Sequence, residues 1–173
     1  MKSSPSKTIN NSNQGRIILP TELSGPENMA TDVMLLEDLI SSKKFSIAFR
    51  FYTWDCSCIS IGKNQKNIPR DWLNLLNEKR ISIVRRPSGG DAVLHSNGLT
   101  YALLWKNPPK KKHEAYIKAS QWLINGFLKL GIELHFGSQS FKEASINCFA
   151  SSTPADLVDN QGQKRIGSAQ FWN

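Results

Sequence analysis

Short runs in which apolar and polar residues alternate, most of them in adjacent pairs, constrain the fold of this chain more than any other feature. Ile47, Phe49 and Phe51 are separated by single residues, and Ile59 and Ile61 flank Ser60. A period of two predicts strands with one buried face. Because these two strands follow each other closely, we expect them to form a first hairpin.

Two more hairpins are predicted further along the chain. The runs AVLH and LTYALLW alternate around the turn residues Ser96-Asn97-Gly98, which predicts a second hairpin. The segments ADLV and KRIGSAQFW flank a turn at residues 159–162, which predicts a third. Single strands are expected for ISIVRR, residues 81–86, and IELHF, residues 132–136.

Three helices are expected between these strands. The first begins at Pro26, and its predicted core-facing stripe consists of Met29, Val33, Leu36 and Ile40. The others are predicted over residues 69–79 and 113–130. Paired strands with irregularly placed helices indicate the α+β class, with a mixed, mainly antiparallel sheet packed by helices, rather than a doubly wound parallel sheet.

Length and charge narrow the classes of protein. With 173 residues we expect one domain, over residues 16–173, after a disordered tail at residues 1–15. The formal net charge of +8 suits phosphate-bearing ligands, nucleic acid or acidic protein partners. The basic residues are dispersed and form no nucleic-acid motif, so we expect no nucleic-acid partner.

The sequence also leads to expectations about the cellular location of the protein and about metal binding. It contains no apolar run of about 18 residues, so we expect no membrane association. Three cysteines without an export signal predict free thiols in the cytoplasm. The histidines are scattered away from Cys56 and Cys58, so no metal site is predicted.

The segment RRPSGGDAVLH, residues 85–95, is the strongest candidate for a binding site. No Walker motif or dinucleotide-binding glycine motif occurs in the chain. Paired glycines let a ligand approach backbone N–H groups, and Arg85 or Arg86 can add charge-assisted contacts to phosphate or carboxylate. The alternative is a plain hairpin corner with arginines facing solvent.

This segment resembles the signature of the lipoate-protein ligase A family, which reads approximately Arg-Arg-x-Ser/Thr-Gly-Gly-Gly-Ala-Val-x-His-Asp. Three further segments resemble the same family in the same order: SGPENMATDVMLLE, FYTWDCSCISIGKNQ and CFASSTPADLVDNQGQKRIGSAQ. The resemblance covers about residues 24–170. It departs at Asp91, which stands in place of a glycine, and at Ser96, which stands in place of an aspartate.

The resemblance implies a fold similar to the catalytic core of biotin ligases and class II aminoacyl-tRNA synthetases. It implies attachment of lipoate or octanoate to a lysine of a lipoyl domain, in 2-oxoacid dehydrogenase complexes or the glycine cleavage H protein. The ligases of the family use ATP and Mg²⁺ to form an acyl adenylate. Because the family continues beyond the Gly-Ser-Ala-Gln motif, we expect the domain to lack its C-terminal part.

The resemblance also implies the site residues. The substrate and adenylate would be bound by Arg85, Arg86, Ser88, Gly89, Gly90, Ala92, His95, Gly167, Ser168 and Ala169. Lys164 matches the functional lysine of the family. Its cation would stabilise the negative charge that develops on the acyl carbonyl as the target amine attacks.

Cys148 makes a second mechanism possible. The octanoyltransferases of the same fold use a cysteine in a Cys-Phe context to hold octanoate taken from acyl carrier protein, and Cys148-Phe149 occupies that place. We rank the ligase mechanism first and octanoyl transfer second. A third alternative is a non-catalytic, truncated homologue that acts as a binding module.

Overall fold

The computed structural model describes residues 14–137 and 155–172. These residues form three helices and nine strands: β1 (Gln14–Leu23), α1 (Gly25–Ser41), β2 (Phe45–Trp54), β3 (Cys58–Ile61), α2 (Arg70–Asn77), β4 (Ser82–Arg85), β5 (Val93–His95), β6 (Thr100–Trp105), α3 (Lys112–Lys129), β7 (His135–Phe136), β8 (Leu157–Val158) and β9 (Lys164–Ile166).

The strands form three sheets of three strands each, in the orders β1-β2-β6, β4-β3-β5 and β7-β8-β9. The pairs β1–β2 and β3–β4 are parallel. The pairs β2–β6, β3–β5, β7–β8 and β8–β9 are antiparallel. The predicted α+β class with a mixed, mainly antiparallel sheet is therefore confirmed.

Two of the three predicted hairpins are wrong. Strand β2 pairs with β1 and β6 and does not pair with β3, because both of its edges are already occupied. Strand β5 pairs with β3, so the turn at Asn97 joins two different sheets. The third hairpin is confirmed, since β8 and β9 pair antiparallel across residues 159–163.

Strand β1 was not predicted. It begins at Gln14, so residues 14 and 15 belong to a strand and not to the predicted tail, whose remainder lies outside the described residues. The side chains of Ile17 and Leu19 are 81% and 80% exposed, so the strand lacks a buried alternating face. Pro20 lies within a register irregularity between Ile18 and Thr21, a position that tolerates a residue without an N–H.

Helix α1 lies where it was predicted, but a different face is buried. Its start is stabilised by the Glu27 carboxylate, which accepts the Ser24 N–H at 3.0 Å. In the predicted stripe, Val33 is 40% exposed and Ile40 is 48% exposed. The buried face instead combines Leu35 and Leu39 with the polar residue Asn28.

A buried polar cluster explains this rotation of the helix. The Arg50 Nε on β2 donates to Asp32 Oδ1 at 2.8 Å, and Arg50 Nη2 donates to the Asn28 carbonyl at 3.0 Å. The Tyr52 hydroxyl donates to Asp32 Oδ2 at 3.1 Å, and the guanidinium lies 3.9 Å from the Tyr52 ring centroid. Burial raises the pKa of the Asp32 carboxyl, while Arg50 acts in the opposite direction.

The remaining helices agree with the predictions to within two residues at each end. Leu123 of α3 packs with Leu134 and Leu157, which joins this helix to the C-terminal sheet. Among the described residues, the helices are all too short or too polar to cross a membrane.

The Arg50–Asp32 ion pair predicts a large stability loss when one partner is removed. The Arg50 side chain is 1% exposed, so Arg50→Met leaves the carboxylate of Asp32 in the interior without its counter-charge. We expect a loss of about 3 kcal/mol in the free energy of unfolding, measured by urea titration.

Lys118→Ala is the matched control, because it removes a surface ion pair with Glu114 whose side chains are 57% and 49% exposed. Its expected cost is below about 0.5 kcal/mol. The double variant Asp32→Leu/Arg50→Met should be more stable than Arg50→Met alone. Equal losses for Arg50→Met and Lys118→Ala would contradict the role given to the buried pair.

Candidate active site

The glycine motif packs directly against the loop that follows β3. A Cβ atom placed on Gly62 would collide with the Gly90 carbonyl oxygen, so only glycine allows the two loops to approach this closely. The Lys63 N–H donates to the Ser88 carbonyl at 2.9 Å. Gly90 has a φ of 91°, which favours glycine at that position as well. The loop of residues 86–92 is therefore held in one shape by its neighbour.

Arg85 stabilises the loop that follows β3 through hydrogen bonds to its backbone. Its Nη1 donates to the carbonyl of Gly62 at 2.9 Å and to the carbonyl of Gln65 at 2.7 Å, with a longer contact to Lys63. The sequence predicted a contact between this guanidinium and a bound anion. In the structure, the group stabilises backbone carbonyls of residues 62–65.

Arg86 stabilises the loop of residues 86–92, here called the glycine loop, through hydrogen bonds. Its Nη1 donates to the Ser60 carbonyl at 2.7 Å, and its Nη2 donates to the carbonyls of Gly89 and Asp91 at 2.8 and 2.6 Å. The contact to Asp91 is made by its backbone, and the residue is otherwise exposed. Ala92 is buried against Ile59 and Ile61, so it anchors the end of the loop.

His95 lies in a half-buried aromatic stack beside this loop. Its ring is parallel to that of Trp54, with centroids 4.1 Å apart, and its Nε2 lies 2.8 Å from Ser60 Oγ. Burial, with a smaller contribution from the positive charge of Arg86, lowers the pKa of His95 to about 4. The imidazole is therefore neutral near pH 7.

Lys164 begins β9 and is buried. Its Nζ lies 3.1 Å from Asp156 Oδ2, and each side chain is only 4% exposed. A Cβ atom on Gly167 would lie 3.0 Å from Lys164 Cε, so the glycine leaves room for the lysine chain. A buried cation next to a carboxylate is held at a defined position, as charge stabilisation in a reaction requires.

The segment after Lys164 is tied to β6. The Ser168 and Tyr101 hydroxyl groups lie 2.7 Å apart. Thr100, which precedes Tyr101 on β6, accepts a hydrogen bond from Trp54 Nε1 at 2.9 Å. Because successive side chains of a strand point to opposite faces, β6 connects the His95 stack on one face with Ser168 on the other. The two clusters are thus bridged through β6 by the contacts described above.

The structure places most of the predicted residues in two groups. The first group comprises Arg85, at the end of β4, and the adjoining loop of residues 86–92 with Arg86, Ser88, Gly89, Gly90 and Ala92, and His95 on β5 lies beside it. The second comprises Lys164 on β9 and the residues just after this strand, Gly167, Ser168 and the exposed Ala169. Cys148 lies outside the described residues. Sequence reasoning missed Ser60, Trp54, Asp156 and Tyr101. The family segments FYTWDCSCISIGKNQ and CFASSTPADLVDNQGQKRIGSAQ contain Trp54, Ser60 and Asp156, but nothing in the sequence singled these residues out.

Residues 14–137 and 155–172 contain no group of three or more His, Cys, Asp or Glu side chains that could hold an ion. Of the two cysteines described, Cys56 is exposed and Cys58 is buried, and both are free thiols.

The lipoyl protein ligase A/B catalytic domain family matches residues 24–172 of this chain. The match covers both the glycine loop and the Lys164 hairpin, and it confirms the resemblance read from the sequence motifs. The chain belongs to this family.

Two curated relatives are octanoyltransferases. The chain is 36% identical over 169 residues to octanoyltransferase LipM of Brevibacillus brevis, which covers 91% of this chain and 60% of the relative. It is 36% identical over 160 residues to LipM of Carboxydothermus hydrogenoformans, which covers 90% of this chain and 59% of the relative. The chain therefore spans about 60% of the length of these relatives.

Solved structures share the fold. Protein Ta0514 of T. acidophilum with bound lipoic acid has a TM-score of 0.68 at 20% identity, covering 93% of this chain and 64% of that one. A bi-partite lipoate protein ligase and its E2 lipoyl domain from Thermoplasma acidophilum gives 0.68 at 19%, covering 92% and 57%. Lipoate-protein ligase A bound with ATP gives 0.65 at 19%, covering 93% and 62%.

The close approach of the two loops predicts different outcomes at two glycines. Gly62→Ala forces the new methyl group into the Gly90 carbonyl and should cost about 2 kcal/mol in the free energy of unfolding. Gly89→Ala meets no atom within 4 Å and should change stability by less than about 0.5 kcal/mol. Urea titration of both variants measures the difference, and equal stability would show that the loops are not held together.

The neutral state of His95 predicts a pH dependence of stability. Its pKa in the fold is about 4 against an ordinary value of 6.5, so between these values the unfolded chain binds a proton that the folded chain does not. Stability is therefore fully present above pH 6.5 and falls as the pH decreases toward 4.

In His95→Phe the ring stack on Trp54 can persist but no proton is bound. Urea titrations at several pH values should show a smaller loss of stability between pH 6.5 and 4 for this variant than for the original chain. Parallel pH profiles for the two proteins would contradict the assignment.

Proposed function

We propose that this chain carries the acyl-transfer site of a protein octanoyltransferase, which moves an octanoyl group from acyl carrier protein to a lysine of a lipoyl domain. The observation that carries this proposal is the buried Lys164–Asp156 pair within a domain of the lipoyl protein ligase A/B family. The LipM relatives, named octanoyltransferases, support the choice of substrate. We therefore rank octanoyl transfer above the ligase mechanism, the reverse of the order drawn from sequence.

The proposed reaction has two steps. The thiolate of Cys148 attacks the carbonyl carbon of the carrier thioester, forming a new thioester and releasing the carrier thiolate, which takes up a proton. The amine of the target lysine then attacks the carbonyl carbon of the Cys148 thioester, the amide bond forms as the C–S bond breaks, and the Cys148 thiolate leaves and takes up the proton lost by the amine. Lys164 stabilises the oxyanion in each step through its positive charge.

The ligase alternative would need ATP, and the arginines fit a triphosphate poorly. Both terminal nitrogens of Arg86 donate to backbone carbonyls, and Arg85 Nη1 donates to three more. A phosphate bound by these nitrogens would have to displace these bonds. No step of the proposed mechanism depends on ATP or Mg²⁺.

We propose a lipoyl domain as the acceptor, since a structural neighbour was solved with its E2 lipoyl domain. A net charge of +8 would speed the approach of an acidic carrier or acceptor protein. The glycine cleavage H protein and the cytoplasmic location stay predictions.

The test is a mass-spectrometric acylation assay with the full chain and an apo lipoyl domain. One arm supplies octanoyl acyl carrier protein, and the other supplies ATP, Mg²⁺ and lipoate. We expect product in the first arm alone. Cys148→Ser should abolish it, and Lys164→Met should lower the rate at least about a hundredfold through loss of oxyanion stabilisation.

Cys56→Ser is the matched control, because Cys56 is an exposed free thiol whose loss should leave the rate unchanged. Acylation that requires ATP and survives Cys148→Ser would overturn the proposal in favour of the ligase. A folded chain that yields no product in either arm would instead favour the binding module.

A further inference from the structure

The buried hydroxyl of Ser60 lies between a permanent cation and a histidine. Ser60 is 2% exposed and sits in β3, the central strand of its sheet. Its Oγ is 2.8 Å from His95 Nε2 and 3.3 Å from Arg86 Nη1. The same Arg86 nitrogen donates to the Ser60 carbonyl at 2.7 Å. Arg86 and His95, both distant from Ser60 in sequence, thus meet at its hydroxyl oxygen.

The protons available to these groups decide the direction of each hydrogen bond. A guanidinium can only donate, so the contact from Arg86 uses a lone pair of Ser60 Oγ. The hydroxyl has a single proton, and His95 Nε2 is the other partner of this oxygen within residues 14–137 and 155–172. A buried hydroxyl whose proton had no acceptor would be unfavourable, so we take the hydroxyl to donate to Nε2, and a neutral imidazole that accepts at Nε2 carries its proton on Nδ1.

The surroundings of the ring favour one orientation. The Trp54 indole stacks on the imidazole at an interplanar angle of 17°, and Trp54 is itself fixed by its bond to Thr100 Oγ1. Burial and the nearby Arg86 disfavour the doubly protonated ring, in agreement with the lowered pKa of His95. Stacking and Ser60 together hold the ring, so the position of its Nδ1–H is also held.

We propose that Ser60 is a positioning residue that holds His95 in the neutral Nδ1–H tautomer, so that the ring offers a hydrogen-bond donor beside the glycine loop. The consequence for substrate rests on the proposed function. A substrate atom that can only accept, such as a carbonyl oxygen away from the reacting centre, suits the Nδ1–H tautomer. The other tautomer would present a lone pair at the same place.

The experiment is a long-range ¹H–¹⁵N spectrum of the full chain with ¹⁵N-labelled histidine, near pH 7. His95→Gln assigns the signals. We expect Nδ1 of His95 to appear as a protonated nitrogen and Nε2 as an unprotonated one. Ser60→Ala should convert a large share of His95 to the Nε2–H form, and Ser60→Thr, which keeps the hydroxyl, should restore the original pattern.

Ser57→Ala is the matched control. The hydroxyl groups of Ser57 and Ser96 lie 3.0 Å apart near the same end of the sheet. Removal of the Ser57 hydroxyl should leave the His95 signals unchanged. A protonated Nε2 in the original chain would overturn the proposal, and so would an Nδ1–H form that persists in a folded Ser60→Ala variant.

The acylation assay supplies a second readout. Ser60→Ala should reduce kcat/KM about tenfold, because an acceptor atom of the substrate near the loop loses its fixed hydrogen-bond donor, while Ser57→Ala should not. If no variant and not even the original chain transfers octanoate, the proposed function fails while the tautomer assignment stands or falls by the spectrum alone. Full activity of Ser60→Ala together with a changed tautomer would remove the catalytic role of Ser60.

Discussion

The ion pair between Arg50 and Asp32 is the interaction around which the first half of the molecule is arranged. A guanidinium with almost no exposure is tolerated only where several acceptors surround it, and α1 supplies those acceptors from Asn28 and Asp32. This requirement sets which face of α1 lies against the sheet. It also leaves Tyr52 and Trp54 packed together beyond the pair, with Trp54 in place to stack on His95.

The elements predicted well from sequence are those whose signals are local. The helices have start residues and periodic apolar positions within a single segment, and the β8–β9 hairpin has a turn signal between its strands. The other two hairpins could not be predicted, because a strand's alternation shows its two faces and says nothing about which strand lies beside it. The buried face of β2 was also assigned wrongly: Ile47, Phe49 and Phe51 suggest that Arg50 faces solvent, yet the face of Arg50 is the buried one.

In the candidate site, too, the residues with local sequence signals were predicted, and those that meet only through long-range pairing were not. The glycine loop and Lys164 were found because they belong to contiguous motifs of a known family. Their partners were not, since Ser60 meets His95 and Asp156 meets Lys164 only through strand pairing or a hairpin. The chemistry expected of the two arginines also changed. A guanidinium suits a phosphate, but it equally suits a row of backbone carbonyls, and the loops around Gly62 supply that row.

The strand order β1-β2-β6 has a consequence for how the chain reaches its fold. Strand β2 gains its second neighbour only when Thr100–Trp105 is available, after three other strands and a helix have been made. Pairing over such a distance requires closure of a long loop before any hydrogen bond forms, so this step should be slow. Until β6 pairs with β2, the unpaired edge of β2 is open to other chains. During synthesis on the ribosome, this protein should therefore depend on chaperones most strongly in the interval between the emergence of β2 and that of β6.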